Sequence, residues 1–120
     1  MSVHVEVDVG SGVPVYEQVR TQVVAHVAAG RLRPGDRLPT IRTLATDLGV
    51  APGTVARAFR ELEQAGVVVT RRRTGTVVAD GATPAHDDAR RAAAAYVRTV
   101  RAAGLTTDEA LDLVRGALLE

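Results

Sequence analysis

Residues 38–66, LPTIRTLATDLGVAPGTVARAFRELEQAG, decide the fold of this 120-residue chain. Apolar residues three and four positions apart predict a helix of about two turns, which begins after Thr40 as its N-cap and ends at Gly49. A longer helix is predicted to run from Pro52 to Gly66. Their inward faces are predicted to consist of Ile41, Leu44, Ala45 and Leu48 in the first and Val55, Ala58, Phe59, Leu62 and Ala65 in the second. A short helix, a glycine turn and a longer helix form a helix-turn-helix, whose second helix can lie in the major groove of DNA.

A β-hairpin with a charged tip is predicted directly after this helix pair. Two short β-rich runs, residues 67–70 and 76–79, flank the sequence Arg71-Arg72-Arg73-Thr74-Gly75. Such a wing can place guanidinium groups along the phosphates or in the adjacent minor groove. Residues 31–80 contain nine arginines and five acidic residues, a balance of +4, whereas the whole chain carries +1. The alternative is that the three arginines only keep an exposed turn in solution.

The residues before the helix pair predict an extended arm and a first helix. Valines at every second position of residues 3–9 indicate a half-buried strand or arm, which Gly10-Ser11-Gly12 ends. Pro14 is well placed as the first residue of a helix that ends at Gly30. One continuous apolar stripe on this helix consists of Val15, Val19, Val23 and Val27.

Two further helices are predicted after a short linker at residues 80–82. One begins at Thr83-Pro84, and the other begins with a capping box formed by Thr106 and Glu109. Two amphipathic helices of this length cannot bury both faces alone, so we expect them to pack against the first helix and against a second copy of the chain. The residues predicted to form the dimer interface or the core of the tail are Tyr96, Val97, Val100, Leu111, Val114 and Leu118. The alternative is a tail that folds back on its own monomer.

These patterns together predict a mainly α-helical fold with a small β-hairpin. Its parts are an N-terminal strand or arm (residues 1–13), a winged helix-turn-helix DNA-binding domain (residues 14–80) and a two-helix dimerisation tail (residues 81–120).

The same elements resemble, in order, the GntR family of bacterial regulators, and most closely its short YtrA-type subfamily. The matching positions are Asp8, Ser11, Pro14, Tyr16 and Gln18; Gly30, Leu32, Pro34, Gly35, Asp36, Leu38, Pro39, Thr40, Arg42, Leu44 and Ala45; Leu48, Gly49 and Val50; Thr54, Val55, Arg57, Ala58, Phe59, Leu62, Glu63 and Gly66; and Gly75, Thr76, Val77 and Val78. The resemblance covers about residues 8–79 and implies a homodimer on a two-fold operator, with half-sites about one helical turn apart.

The sequence departs from the family pattern where the bases are read. Ala51 stands where a capping serine is common, and Pro52 and Gly53 replace longer polar side chains. Arg73 occupies a position that is often a wing glycine. We therefore expect sparse base readout by the recognition helix, with DNA shape and wing contacts carrying more of the specificity.

Several side chains are predicted to contact DNA. Thr40, at a helix N-terminus, can offer its hydroxyl and nearby backbone N–H groups to a phosphate. For the exposed Arg42 the resemblance implies a DNA contact, and the alternative is a surface ion pair with Asp47 or Glu61. The first turn of the recognition helix is expected closest to the bases, and Arg57, one turn later, can reach a guanine or a phosphate. The predicted DNA-binding set is Thr40, Arg42, Pro52, Gly53, Thr54, Arg57, Arg71, Arg72, Arg73, Thr74 and Gly75.

Composition and motifs do not indicate catalysis or a cofactor. The chain has no cysteine, no Ser/His/Asp set suggests itself, and no glycine-rich phosphate loop is present. His86-Asp87-Asp88 is the one cluster that suggests a metal, but adjacent helical residues diverge, and acids in a first turn are explained by the helix dipole. We therefore expect no enzyme activity, no metal and no cofactor.

The expected partners are a double-stranded DNA operator and a second copy of the chain. Residues 1–10 lack the pattern of a signal peptide, and no apolar stretch approaches the roughly 20 residues that cross a bilayer, so we expect a cytoplasmic protein without a membrane contact. Repression is the expected regulatory outcome, and the sequence indicates neither the operator nor a small-molecule effector. The alternative function is a winged-helix protein-interaction module without DNA binding, which salt-dependent retention on duplex DNA distinguishes.

Overall fold

The computed structural model describes residues 4–80 and 87–120 of the chain. Its elements are, in chain order, α1 (Val15–Ala28), α2 (Ile41–Leu48), α3 (Pro52–Gln64), β1 (Val68–Arg71), β2 (Gly75–Val78), α4 (Asp87–Ala102) and α5 (Thr107–Leu118). The predicted fold class, mainly helical with one small β-hairpin, is confirmed. The chain divides into two compact units, Met1–Pro84 and Ala85–Glu120. The predicted helix start at Thr83-Pro84 lies outside the described residues.

The first unit is built around an apolar core shared by α1, α2, α3 and the hairpin. Every fourth residue of α1 faces this core, as the valine stripe predicts, and Val19, Val23 and Val27 are buried. Fully buried side chains from the other segments include Leu32, Val55, Leu62 and Val78. Burying a side chain of this kind stabilises the fold by roughly 1.5–3 kcal/mol. The prediction for Ala65 is wrong, because α3 ends at Gln64 and Ala65 caps the helix in an exposed position.

Capping residues fix where α2 and α3 begin and end. Thr40 accepts a hydrogen bond from the Thr43 backbone N–H at 3.1 Å, so the predicted N-cap is confirmed. Gly49 ends α2 with a φ of 69°, a left-handed conformation that favours glycine. Pro52 is the first residue of α3, as predicted. Pro14, in contrast, lies one residue before α1, where its carbonyl oxygen accepts the first backbone hydrogen bonds of the helix.

The hairpin is fixed to the segment that leads into α2. β1 and β2 are antiparallel, from Val68 opposite Val78 to Arg71 opposite Gly75. Arg37 forms an isolated antiparallel bridge with Val77, and the Leu38 N–H donates to the Thr76 carbonyl at 2.9 Å. The sequence patterns did not indicate this pairing of residues 37 and 38 with β2, which joins the wing to the start of the helix-turn-helix.

Residues 4–8 lie along α1 as an extended arm and, within that segment, do not form a strand. Three polar side chains of α1, four positions apart, bind the arm at every second residue: Gln18 bonds the N–H and carbonyl of Asp8, Gln22 those of Glu6, and His26 the carbonyl of His4. Four residues of a helix rise about 6 Å, and two residues of an extended chain span about 6.6 Å. The spacing of the three side chains on α1 therefore matches the spacing of the bonded residues on the arm. Val5, between these anchors, is buried in the core. Of the two predicted forms, strand or arm, the described residues take the arm.

The second unit contains α4 and α5. The Tyr96 hydroxyl donates to the Ala110 carbonyl at 2.6 Å and so joins the two helices. The predicted capping box is present at the start of α5: the Glu109 N–H donates to Thr106 Oγ1, and the Thr106 N–H donates to Glu109 Oε1 at 2.9 Å. The Thr106 backbone N–H, and after it the Thr106 hydroxyl, favour the Glu109 carboxylate and hold the pKa of Glu109 below its ordinary value of 4.5.

Candidate nucleic-acid interface

The first turn of α3 presents little side-chain bulk. Ala51 precedes it without a side-chain cap, Pro52 and Gly53 are exposed, and Thr54 is half-buried. A Cβ atom built at Gly53 meets no other atom within 4 Å, so the backbone there is open to a close approach. The start of α3 is therefore flat and accessible and carries few side-chain donors, and sparse base readout by this helix stays a prediction.

The start of α2 carries two hydroxyl groups and an exposed cation. The Thr40 hydroxyl donates to Thr43 Oγ1 at 2.9 Å, which leaves the hydroxyl proton of Thr43 available to an incoming acceptor. Thr43 is exposed and was missed by the sequence patterns, although its place three residues after the N-cap is a usable signal. Arg42 is exposed and makes no ion pair with the described residues, so the alternative pairing with Asp47 or Glu61 is not formed.

Arg57 is held in a cluster that joins α3 to α1. Its guanidinium carbon lies 3.7 Å from the centroid of the Tyr16 ring, a cation–π arrangement. Its Nε lies 3.5 Å from Glu61 Oε2, at the i,i+4 spacing of α3. The other oxygen, Glu61 Oε1, lies 3.4 Å from the buried Nε of Arg20, an ion-pair distance without the alignment of a hydrogen bond. Tyr16 and Glu61 are thus residues of the candidate site that the sequence did not single out, because their contacts with Arg57 depend on how α1 packs on α3.

The wing tip is exposed and positively charged. All five residues from Arg71 to Gly75 are exposed, and Gly75 takes a φ of 76° that suits a tight turn. Within residues 4–80 and 87–120, the three wing arginines make no ion pair. The neighbouring Thr70 hydroxyl lies 3.5 Å from Glu63 Oε2, which links the hairpin to α3. Three cations at one turn repel one another, so this tip favours an anionic partner.

Comparison with known proteins identifies the family. The family described as "Bacterial regulatory proteins, gntR family" matches residues 15–78, more than half of the chain. The chain belongs to the GntR family. It is a transcription regulator of a DNA-binding family and not an enzyme, as predicted.

The chain is similar to two curated relatives and to one protein solved in complex with DNA. Over 107 residues it is 53% identical to the HTH-type transcriptional regulator Rv1152 of Mycobacterium tuberculosis, a match covering 88% of this chain and 86% of the relative. It is 38% identical to the HTH-type transcriptional repressor YtrA of Bacillus subtilis, covering 65% of this chain and 60% of that protein. The AraR DNA-binding domain, in its structure with operator ORE1, is similar at a TM-score of 0.55 and 29% identity, covering 63% of this chain and 100% of that one.

The six predicted interface residues of the tail differ in exposure. Val100 is buried, at 7% exposed, and Tyr96 is half-buried. The exposed members of the set are Val97 at 38%, Leu111 at 45%, Val114 at 40% and Leu118 at 78%. Leu111, Val114 and Leu118 are three and four positions apart on α5, so they share one apolar face that the second unit does not cover.

Two further findings apply to the described part of the chain. It contains no helix that is long and apolar enough to span a membrane. It contains no group of three or more histidine and acidic residues that can hold a metal ion. His86 and the side chain of Asp87, from the cluster noted in the sequence, lie outside the described residues.

Proposed function

We propose that this GntR regulator is a repressor that binds a two-fold operator as a homodimer. Residues 14–80 read the DNA, and residues 81–120 join the two copies. The observation that carries the proposal is the wing tip, where three exposed arginines, which have no acidic partner among the described residues, follow a helix-turn-helix. The similarity of the chain to an operator-bound AraR domain supports the same mode of binding.

Each part of the first unit has a separate role in this proposal. The N-terminus of α2 binds a phosphate through Thr40, and Arg42 neutralises another. The open first turn of α3 lies against the bases, with Arg57 one turn further into the groove. The wing follows the backbone or the adjacent minor groove. The proposed DNA-contacting residues are Thr40, Arg42, Pro52, Gly53, Thr54, Arg57, Arg71, Arg72, Arg73, Thr74 and Gly75, and Thr43 is added to them.

The apolar face of α5 supports the homodimer. Leu111, Val114 and Leu118 expose a large apolar surface, and two copies remove it from water by a symmetric contact. A dimer also matches the two-fold operator, because each copy places one recognition helix in one half-site. Val97 extends the proposed interface, and Tyr96 and Val100 support it from within the unit.

Repression in the cytoplasm is the simplest regulatory role for such a dimer. The relative YtrA of Bacillus subtilis is named a repressor, and a dimer bound over a promoter blocks polymerase by occupying the same DNA. Repression therefore needs only the DNA contacts and the dimer contact proposed above.

Binding of the full chain to the DNA upstream of its own gene tests the DNA part of the proposal. We expect affinity to fall steeply from about 50 to 200 mM salt, and the upstream duplex to be preferred over a scrambled duplex by roughly 10³-fold or more. Release of bound upstream DNA by a candidate small molecule identifies an effector. Binding that does not change with salt excludes the phosphate contacts and favours the protein-interaction alternative.

The dimer is tested by sedimentation of two matched variants. Leu111→Asp places a charge on the proposed interface and should yield a monomer, whereas Leu113→Asp changes an equally apolar side chain on the opposite side of α5. We expect Leu113→Asp to remain a dimer. The reverse pattern assigns the interface to the other face of α5, and a wild-type monomer contradicts the proposal.

A further inference from the structure

Neighbouring side chains occupy one face and one edge of the Arg57 guanidinium and leave its terminal nitrogens open. Its flat face is covered by the Tyr16 ring at 3.7 Å, and its Nε edge faces Glu61 at 3.5 Å. Its two terminal nitrogens contact no acceptor among residues 4–80 and 87–120. The side chain is 55% exposed, so this open end of the guanidinium faces solvent on the recognition helix.

This arrangement removes conformational freedom from Arg57 before any DNA is bound. A free arginine loses rotamer entropy when it is fixed in a complex, and a pre-oriented one loses less. Stacking on Tyr16 sets the plane of the guanidinium, and the Glu61 contact sets its rotation within that plane. The two terminal N–H groups then form a fixed pair of parallel donors, which matches the O6 and N7 acceptors of guanine.

The adjacent carboxylate also decides between a guanine and a phosphate. Glu61 offsets much of the positive charge of Arg57 and repels a phosphate at the same distance. A guanine edge is uncharged, so it uses the donors of Arg57 without this repulsion. Arg60, three positions further on α3, is exposed and makes no ion pair with the described residues, which is the arrangement suited to a phosphate.

We propose that Arg57 reads one guanine in each half-site of the operator and that Tyr16 and Glu61 are the positioning residues that aim it. This inference rests on the proposed function, since it needs an operator-binding protein. It assigns direct base readout to one side chain of a recognition helix whose first turn carries few hydrogen-bond donors. It also assigns a DNA-reading role to α1, which supplies Tyr16 without touching the DNA.

The test uses duplexes from the upstream DNA in which one guanine at a time is replaced by 7-deazaguanine, which lacks the N7 acceptor. Wild-type protein should lose about 5- to 150-fold in affinity at one guanine of a half-site. Arg57→Lys keeps the charge but not the paired donors, so it should be insensitive to that replacement while its affinity for a scrambled duplex stays close to wild type.

Variants of the positioning residues separate aiming from folding. Tyr16→Phe retains the ring and should keep the wild-type sensitivity to 7-deazaguanine, whereas Tyr16→Leu and Glu61→Gln should lose most of it. Arg20→Gln removes the other partner of Glu61 and should leave the sensitivity intact. Arg60→Gln should weaken binding equally on every duplex and reduce the salt slope. Thermal melting of each variant shows whether it is folded at the assay temperature.

Two results overturn the inference. One is an Arg57→Lys variant that discriminates the modified duplexes as the wild type does. The other is a folded Tyr16→Leu and a folded Glu61→Gln that both keep full sensitivity. In either case the wild type still selects its operator, so the proposed function stands. A wild type that selects no duplex at all removes the proposed function and this inference together.

Discussion

Replacing the three wing arginines with glutamine should reduce the salt dependence of DNA binding more than any other change of equal charge. Arg71, Arg72 and Arg73 are exposed at the hairpin tip and have no acidic partner among the described residues. Each is therefore free to neutralise a phosphate and release its counterion. For duplex DNA, each phosphate contact contributes about −0.9 to the slope of log affinity against log salt, so the three together contribute about −2.7.

This slope sets the size of the effect at each salt concentration. Between about 50 and 200 mM salt, a slope difference of 2.7 changes the affinity ratio of wild type to variant by about 40-fold. The variant should thus be much weaker than the wild type at low salt and closer to it at high salt. Its thermal stability should change by about 0.5 kcal/mol or less, because the substitutions are on an exposed turn.

Fluorescence anisotropy with a labelled upstream duplex measures both slopes. The matched control replaces Arg98, Arg101 and Arg115 in α4 and α5 with glutamine, which changes the net charge from +1 to −2, as the wing variant does. We expect the control to keep the wild-type slope. A wing variant with an unchanged slope refutes direct phosphate contact by the wing. Equal slope changes in both variants assign the effect to net charge instead of contact.

Three smaller predictions concern stability. Thr40→Ala removes the cap of α2 and should lower the free energy of unfolding by about 1 kcal/mol in a denaturant titration, with Thr40→Ser as the control that retains it. Leu62→Ala, at a fully buried position, should cost about 2–5 kcal/mol in the same titration, and a cost below about 1 kcal/mol contradicts the described core. The pKa of Glu109 is lower in the folded state than its ordinary 4.5, because the Thr106 backbone and hydroxyl favour the carboxylate. Its stabilisation of α5 is therefore present above about pH 4.5 and is lost as the pH falls through the lowered folded pKa, a helicity change that circular dichroism should show and Glu109→Gln should diminish.

The helix-turn-helix was predictable because its signals are local. The Thr40 cap, the left-handed Gly49 and the first-turn Pro52 each act within a few residues, so both ends of α2 and the start of α3 follow directly from the sequence. The buried face of α1 followed from its four-residue valine repeat in the same way. Ala65 was placed wrongly because periodicity alone does not show where a helix stops.

The contacts that shape the candidate site were not predictable, because they join distant parts of the chain. Tyr16 and Arg57 are 41 positions apart, and they meet only because α1 packs on α3. The bridge between Arg37 and Val77 depends likewise on how the wing folds back. The packing of the arm on α1 had a signal in the sequence, because Gln18 and Gln22 are four positions apart on the helix and the arm alternates every two residues. Taken separately, however, the glutamine repeat predicts only a polar helix face, and the alternation predicts only a strand.

Affinity and sequence preference are assigned to different parts of this regulator for an electrostatic reason. In the proposed complex the wing arginines, which have no carboxylate partner among the described residues, bind phosphates and contribute equally on every sequence, which revises the expectation that wing contacts carry much of the specificity. Arg57 has its charge offset by Glu61 but keeps two oriented donors, so it gains little from a phosphate and most from a guanine. Raising the salt concentration therefore weakens mainly the contribution of the wing to DNA affinity, and replacing a base weakens mainly the contribution of Arg57. If the two are independent, the wing variant keeps the wild-type preference among duplexes at every salt concentration, and an Arg57 variant keeps the wild-type salt slope.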